Sequence, residues 1–106
     1  MDTIRVESRG AVTRVTLDRP DVRNAFNDSV VLELTEAFEN LPDTTRVVVL
    51  SGEGKAFCAG ADLTWMKKSA TYTREQNVDD AGSMVRLFDA VNRCSRPVIG
   101  RVNGTA

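Results

Sequence analysis

The sequence predicts an α/β fold. Three features carry that expectation: an alternating hairpin at the N-terminus, an amphipathic helix after it, and a β-branched run that follows the helix directly. In the hairpin, Ile4-Arg5-Val6-Glu7-Ser8 alternates apolar and polar residues, Arg9-Gly10 signals a turn, and Ala11 to Leu17 resumes with Val12, Val15 and Leu17 apolar. The three-residue step from Val12 to Val15 predicts a bulge or a change of register. Asp18-Arg19-Pro20-Asp21 then ends the strand, because proline cannot donate to a ladder. Asn27-Asp28-Ser29 offers helix caps, and Val30, Leu34, Ala37 and Leu41 fall on one helical stripe beside Val31 and Phe38, up to the stop at Pro42. Arg46-Val47-Val48-Val49-Leu50 is predicted as an inner parallel strand covered on each side, reached through a right-handed crossover.

Beyond this strand, Ser51 to Ala61 is rich in small residues without periodicity and is predicted as a loop. Asp62 to Lys68 is predicted as a short helix, with its acid at the start and its lysines at the end, as the helix dipole favours. Ser69 to Gln76 is polar and expected to be mobile. Ala81, Met84, Leu87, Phe88 and Val91 mark a second long helix, with Asp79 and Asp80 near its start and Arg93 near its end. Arg96 to Val102 reads as a further strand, followed by a loop, Asn103-Gly104-Thr105-Ala106, that leads nowhere. A last strand that closes nothing would leave an unprotected edge, so residues 1–106 are expected to form the N-terminal portion of a longer domain.

Of 106 residues, 42% are hydrophobic and 27% charged, as in an ordinary soluble globular protein. Fourteen basic against 15 acidic residues give a net charge of -1, which argues against a general nucleic-acid binder or a polybasic membrane anchor. No apolar run approaches the ~20 residues of a membrane span, the N-terminus lacks a signal-peptide core, and a cytoplasmic location is expected. With two cysteines, Cys58 and Cys94, and no histidine, neither a metal site nor an imidazole triad is expected.

Several motifs bear on chemistry. Ser51-Gly52-Glu53-Gly54-Lys55 suggests a phosphate loop but fails, because Val49 and Ala56 replace its required glycine and hydroxyl residue. As a dinucleotide fingerprint it fails at Phe57. Ala59-Gly60-Ala61-Asp62 lets a ligand approach the backbone and opens a helix whose amides suit an oxyanion; a tight loop with a helix cap is the plain alternative. Arg19 and Arg23, ahead of Asn24-Ala25-Phe26-Asn27, could take a phosphate-bearing ligand or stand simply as surface arginines. Asp79 and Asp80 fit the helix dipole better than a catalytic pair. Trp65, Met66 and Cys58 are expected in core or pocket lining, and Cys94 as an ordinary helix residue.

Four segments occur together in one order and spacing: Leu17-Asp18-Arg19-Pro20-Asp21-Val22-Arg23-Asn24-Ala25-Phe26, Val47-Val48-Val49-Leu50-Ser51-Gly52, Lys55-Ala56-Phe57-Cys58-Ala59-Gly60-Ala61-Asp62-Leu63, and Arg96-Pro97-Val98-Ile99-Gly100-Arg101-Val102-Asn103-Gly104. In this the chain resembles the enoyl-CoA hydratase/isomerase (crotonase) superfamily over nearly its whole length. Asp62-Leu63-Thr64-Trp65-Met66 with Asn77-Val78-Asp79-Asp80-Ala81 further resembles methylglutaconyl-CoA hydratase-like members. The resemblance implies a crotonase-like spiral of ββα turns that binds acyl-CoA thioesters, coenzyme A being part of the substrate with no separate cofactor or metal. It implies that the Ala61 N–H is one of two oxyanion-hole donors and that Arg23 and Ala25 lie along the CoA. By the same resemblance the loop around Ala59 and Ala61 takes the adenine through backbone groups, Gly60, Asp62 and Leu63 also bind substrate, and Trp65 and Met66 border the acyl pocket. The second donor and the catalytic glutamates of the family match no residue here, so these 106 residues alone are expected to be inactive. The parent is expected to be an enoyl-CoA hydratase, with isomerase or other crotonase chemistry as the alternative, and a non-catalytic binding module as the competing class. A homotrimer or a dimer of trimers is implied for it, with no nucleic-acid or membrane partner.

Overall fold

A computed structural model describes residues 2–60 and 62–104. Four strands form one sheet in the order β1-β2-β3-β4: β1 (Ile4–Arg9), β2 (Val12–Leu17), β3 (Val47–Gly52) and β4 (Val98–Arg101). β1 and β2 pair antiparallel, and β2, β3 and β4 run parallel. Helix α1 (Asp28–Glu39) makes the crossover from β2 to β3, while α2 (Leu63–Ser69) and α3 (Arg74–Asn92) make the one from β3 to β4. The α/β class and the element order follow the sequence expectation.

The core lies on the sheet face that carries Ile4, Val15, Leu17 and Val48, against Val30, Val31, Leu34 and Phe38 of α1 and Leu87 of α3. Asn27 caps α1 by accepting the Val30 N–H at 3.0 Å. The expected bulge in β2 does not form: the register runs without a break from Ile4 opposite Leu17 to Arg9 opposite Val12. The inward set is Thr13, Val15 and Leu17, and the fully buried Thr13 is what broke the apolar alternation. Its hydroxyl is satisfied by Thr45 Oγ1 at 2.7 Å and Ser8 Oγ at 3.0 Å, so a polar residue occupies a core position at little cost.

Four other expectations are corrected. β3 is an inner parallel strand, yet only its Val48 is fully buried; Val47 and Val49, on the face away from the helices, are half-buried. α3 starts at Arg74, well before Asp79 and Asp80, because Thr73 and Gln76 form a reciprocal capping box that orders the polar stretch expected to be mobile. Cys94 lies just past the helix end, which is capped at Arg93. After β4 the chain does lead somewhere: Gly104 forms a bridge with Ala56.

Candidate functional site

The site is built where the ends of β2 and β3 meet. Pro20–Val22 forms one 3-10 turn after β2, and Arg23 and Asn24 follow with positive φ of 53° and 58°. Asparagine tolerates this left-handed region better than most residues, because its short amide can bond locally. Asn24 does so while almost completely buried. Its Oδ1 accepts the Arg19 N–H at 2.7 Å, and its Nδ2 donates to the carbonyls of Glu53 at 2.9 Å and Ala56 at 2.8 Å. Asn103 holds the same loop from the other side, accepting the Gly52 N–H at 3.3 Å and donating to Gly54 O at 2.9 Å. Gly52 leaves no room for a side chain, since a Cβ there would overlap the Phe57 carbonyl and come 2.8 Å from Asn24 Nδ2.

The segment after Phe57 is laced to the arginine loop through its backbone. The Ala59 N–H donates to Arg23 O at 2.9 Å, the Phe26 N–H to Gly60 O at 2.7 Å, and the Asp62 N–H to Phe26 O at 2.6 Å. Arg19 adds a side-chain tie, donating through Nη1 to Ala25 O at 2.5 Å and through Nη2 to Asp62 Oδ2 at 3.1 Å. Asp62 Oδ1 accepts the Trp65 N–H at 3.0 Å and so caps α2. This donation from Trp65 is the main cause that holds the Asp62 carboxyl below its ordinary range. The Arg19 guanidinium acts in the same direction, against the opposing effect of partial burial.

Between these strands of backbone lies an open groove of about 560 Å³ whose walls include Arg23, Ala25, Ala59, Asp62 and Leu63. Arg23 also borders a neighbouring depression of about 440 Å³ beside Lys55 and Glu53. The small side chains of Ala25 and Ala59 and the Arg23 guanidinium in its lining suit a ligand that carries an anionic group. Five expected binding residues are thus brought together. Gly60 lies alongside, with φ +93°. Ala61, the expected oxyanion donor, lies outside the described residues. Trp65 packs against the core and faces α1 and α3, as expected of a core or pocket-lining residue, whereas Met66 is 53% exposed, which corrects its expected place in the core. Asp62 borders the groove with both carboxylate oxygens already engaged. Among the described residues, no cluster of three potential metal ligands occurs and no helix is long and apolar enough to cross a membrane.

Sequence reasoning passed over Asn24, Asn103 and the partnership of Arg19 with Asp62. Asn24 carried a signal, a lone amide between an arginine turn and an apolar residue, but its partners are 29 and 32 positions away. The sequence profile of the enoyl-CoA hydratase/isomerase family matches residues 7–106. The chain belongs to the enoyl-CoA hydratase/isomerase family. Among relatives of this crotonase group, a Mycobacterium tuberculosis protein named "Probable enoyl-CoA hydratase echA6" is 38% identical over 104 residues, which cover 97% of this chain and 40% of that protein. The crystal structure of an enoyl-CoA hydratase from Shewanella pealeana superposes with a TM-score of 0.93 at 34% identity, over 96% of this chain and 39% of that one. An enoyl-CoA hydratase/carnithine racemase from Magnetospirillum magneticum gives 0.87 at 36% identity, over 98% and 40%. The chain therefore spans about two-fifths of the length of these relatives.

Proposed function

We propose that this chain supplies the CoA groove and one oxyanion donor of a crotonase-type enzyme whose reaction is the syn addition of water to a 2-enoyl-CoA. The observation that carries this is the groove itself, in which five residues from two separate sequence motifs meet. In this account Arg23 faces the CoA phosphates, and Ala25, Ala59, Gly60 and Leu63 approach the rest of the CoA through small side chains and backbone. The Ala61 N–H donates to the thioester oxygen. As water adds to the double bond, electron density moves onto that oxygen, and a preorganised amide stabilises it by ~3–4 kcal/mol. Asp62 is a positioning residue, because its carboxylate is committed to Arg19 and to the cap of α2. No residue of this chain is assigned as general acid or base, so residues 1–106 alone leave the ultraviolet absorbance of crotonyl-CoA unchanged. The homotrimer or dimer of trimers and the cytoplasmic location belong to the same proposal for the whole enzyme.

The test is Ala61→Pro, which deletes the N–H without adding a long side chain. With a thioester labelled at its carbonyl carbon, the native chain is expected to lower the infrared carbonyl frequency on binding. The variant should bind CoA within about three-fold of the native chain and lose that shift. An equal shift in both would refute the donor role.

A further inference from the structure

The groove and the depression beside it differ in charge, although Arg23 borders both. In the depression its neighbour is Lys55, and the carboxylate there, Glu53, is paired with the Arg5 guanidinium. In the groove two carboxylates line the walls, Asp21 and Asp62. Asp62 is committed to Arg19 at 3.1 Å and to the Trp65 N–H at 3.0 Å. Asp21 is exposed, and the ion pairs among the described residues engage neither it nor Arg23. It stands two residues before Arg23 in the turn Pro20–Val22, which the Arg23 N–H closes by donating to Pro20 O at 3.1 Å. One short stretch of backbone therefore carries both an acid and a base. The site has a cationic side and, next to it, a groove with one uncompensated negative charge.

We propose that Asp21 is a specificity-determining residue of this site: its carboxylate keeps phosphate groups out of the groove and directs them to the depression between Arg23 and Lys55. The proposal rests on the acyl-CoA function above. A CoA thioester carries its phosphates between two uncharged parts, the adenine and the pantetheine arm. In water at low salt, a carboxylate ~7 Å from a unit negative charge weakens binding about three-fold. Phosphate in the groove meets that repulsion, whereas phosphate beside Lys55 gains a second cation. An uncharged part escapes it, and its N–H groups are donors that a carboxylate accepts. Arg23 attracts the anion, and Asp21 acts against its wrong placement.

The experiment titrates CoA, inorganic pyrophosphate and pantetheine into the full chain and follows the backbone amides by NMR. In the native chain, pyrophosphate is expected to shift Gly54 and Lys55 and to leave Ala59 and Leu63 in place. In Asp21→Asn, which keeps the shape of the side chain and removes its charge, pyrophosphate should shift both sets. It should also bind that variant about three-fold tighter in ~10 mM salt, a gain that disappears in ~1 M salt. Pantetheine should bind both chains within about 1.5-fold, a readout that a merely structural change would move. Lys55→Gln should weaken pyrophosphate about three-fold and leave pantetheine unchanged. Pyrophosphate shifts at Ala59 and Leu63 in the native chain overturn the proposal, as do equal pyrophosphate affinities for the native chain and Asp21→Asn. Either result leaves the acyl-CoA function standing where CoA still binds. Failure of the native chain to bind CoA overturns both.

Discussion

Asn24 is the residue on which the groove depends most, and its replacement can be worked through from the structure. Asn24→Ala removes three hydrogen bonds at once. The Ala56 carbonyl is the buried partner and bears most of the desolvation cost, ~1–3 kcal/mol. The Arg19 N–H and the Glu53 carbonyl are only part-buried, can turn to water, and lose ~1 kcal/mol each. Alanine at φ 58° adds ~1 kcal/mol of backbone strain that asparagine relieves and glycine does not feel. The expected loss is therefore ~4–6 kcal/mol for Asn24→Ala and about 1 kcal/mol less for Asn24→Gly. Against a typical stability of ~5–15 kcal/mol, either loss is a large fraction. Urea unfolding followed by Trp65 fluorescence and by circular dichroism measures it as a fall in midpoint at constant slope. Asn24→Asp sharpens the test, because it keeps the acceptor for Arg19 and turns a carboxylate toward two carbonyls. That environment raises the folded-state pKa of the new acid. Its deficit should then be largest at neutral pH and shrink as pH falls and the protonated acid regains a donor. A midpoint for Asn24→Ala within about 1 kcal/mol of the native chain, or an Asn24→Asp deficit that does not change with pH, would refute the clamp.

Two further predictions concern the same site. The Asp62 carboxyl titrates below its ordinary value of 3.8, so its contribution to stability is full above that pH and is lost as pH falls through the depressed value. Urea unfolding between pH 6 and pH 2 should show the native chain ahead of Asp62→Asn at the upper end and level with it at the lower, and a constant gap would contradict the Arg19 and α2 contacts. Gly52→Ala should cost ~1–3 kcal/mol and weaken CoA binding, because the new methyl meets the rigid backbone of Phe57 and the amide of Asn24; a loss below about 0.5 kcal/mol in thermal unfolding would show that the loop can yield.

The sequence by itself determined the element order, the inner position of β3, the stretches where α1 and α2 begin, and the family. These are written in local periodicity and in motif order, which need no knowledge of what touches what. It also named Arg23, Ala25, Ala59, Asp62 and Leu63, through the motif order that the chain shares with the family. The capping box at Thr73 and Gln76 was equally local and could have been read from its spacing. Only the tertiary structure decided that Thr13 is a core residue, since its burial is made tolerable by Thr45, 32 positions away. Only the fold brought Asn24 to the loop after β3, Arg19 to Asp62 across 43 positions, and Trp65 to a cavity between helices rather than to the groove. Such contacts are long-range and polar, and a polar residue in a sequence looks the same whether its partner will be water or a buried carbonyl.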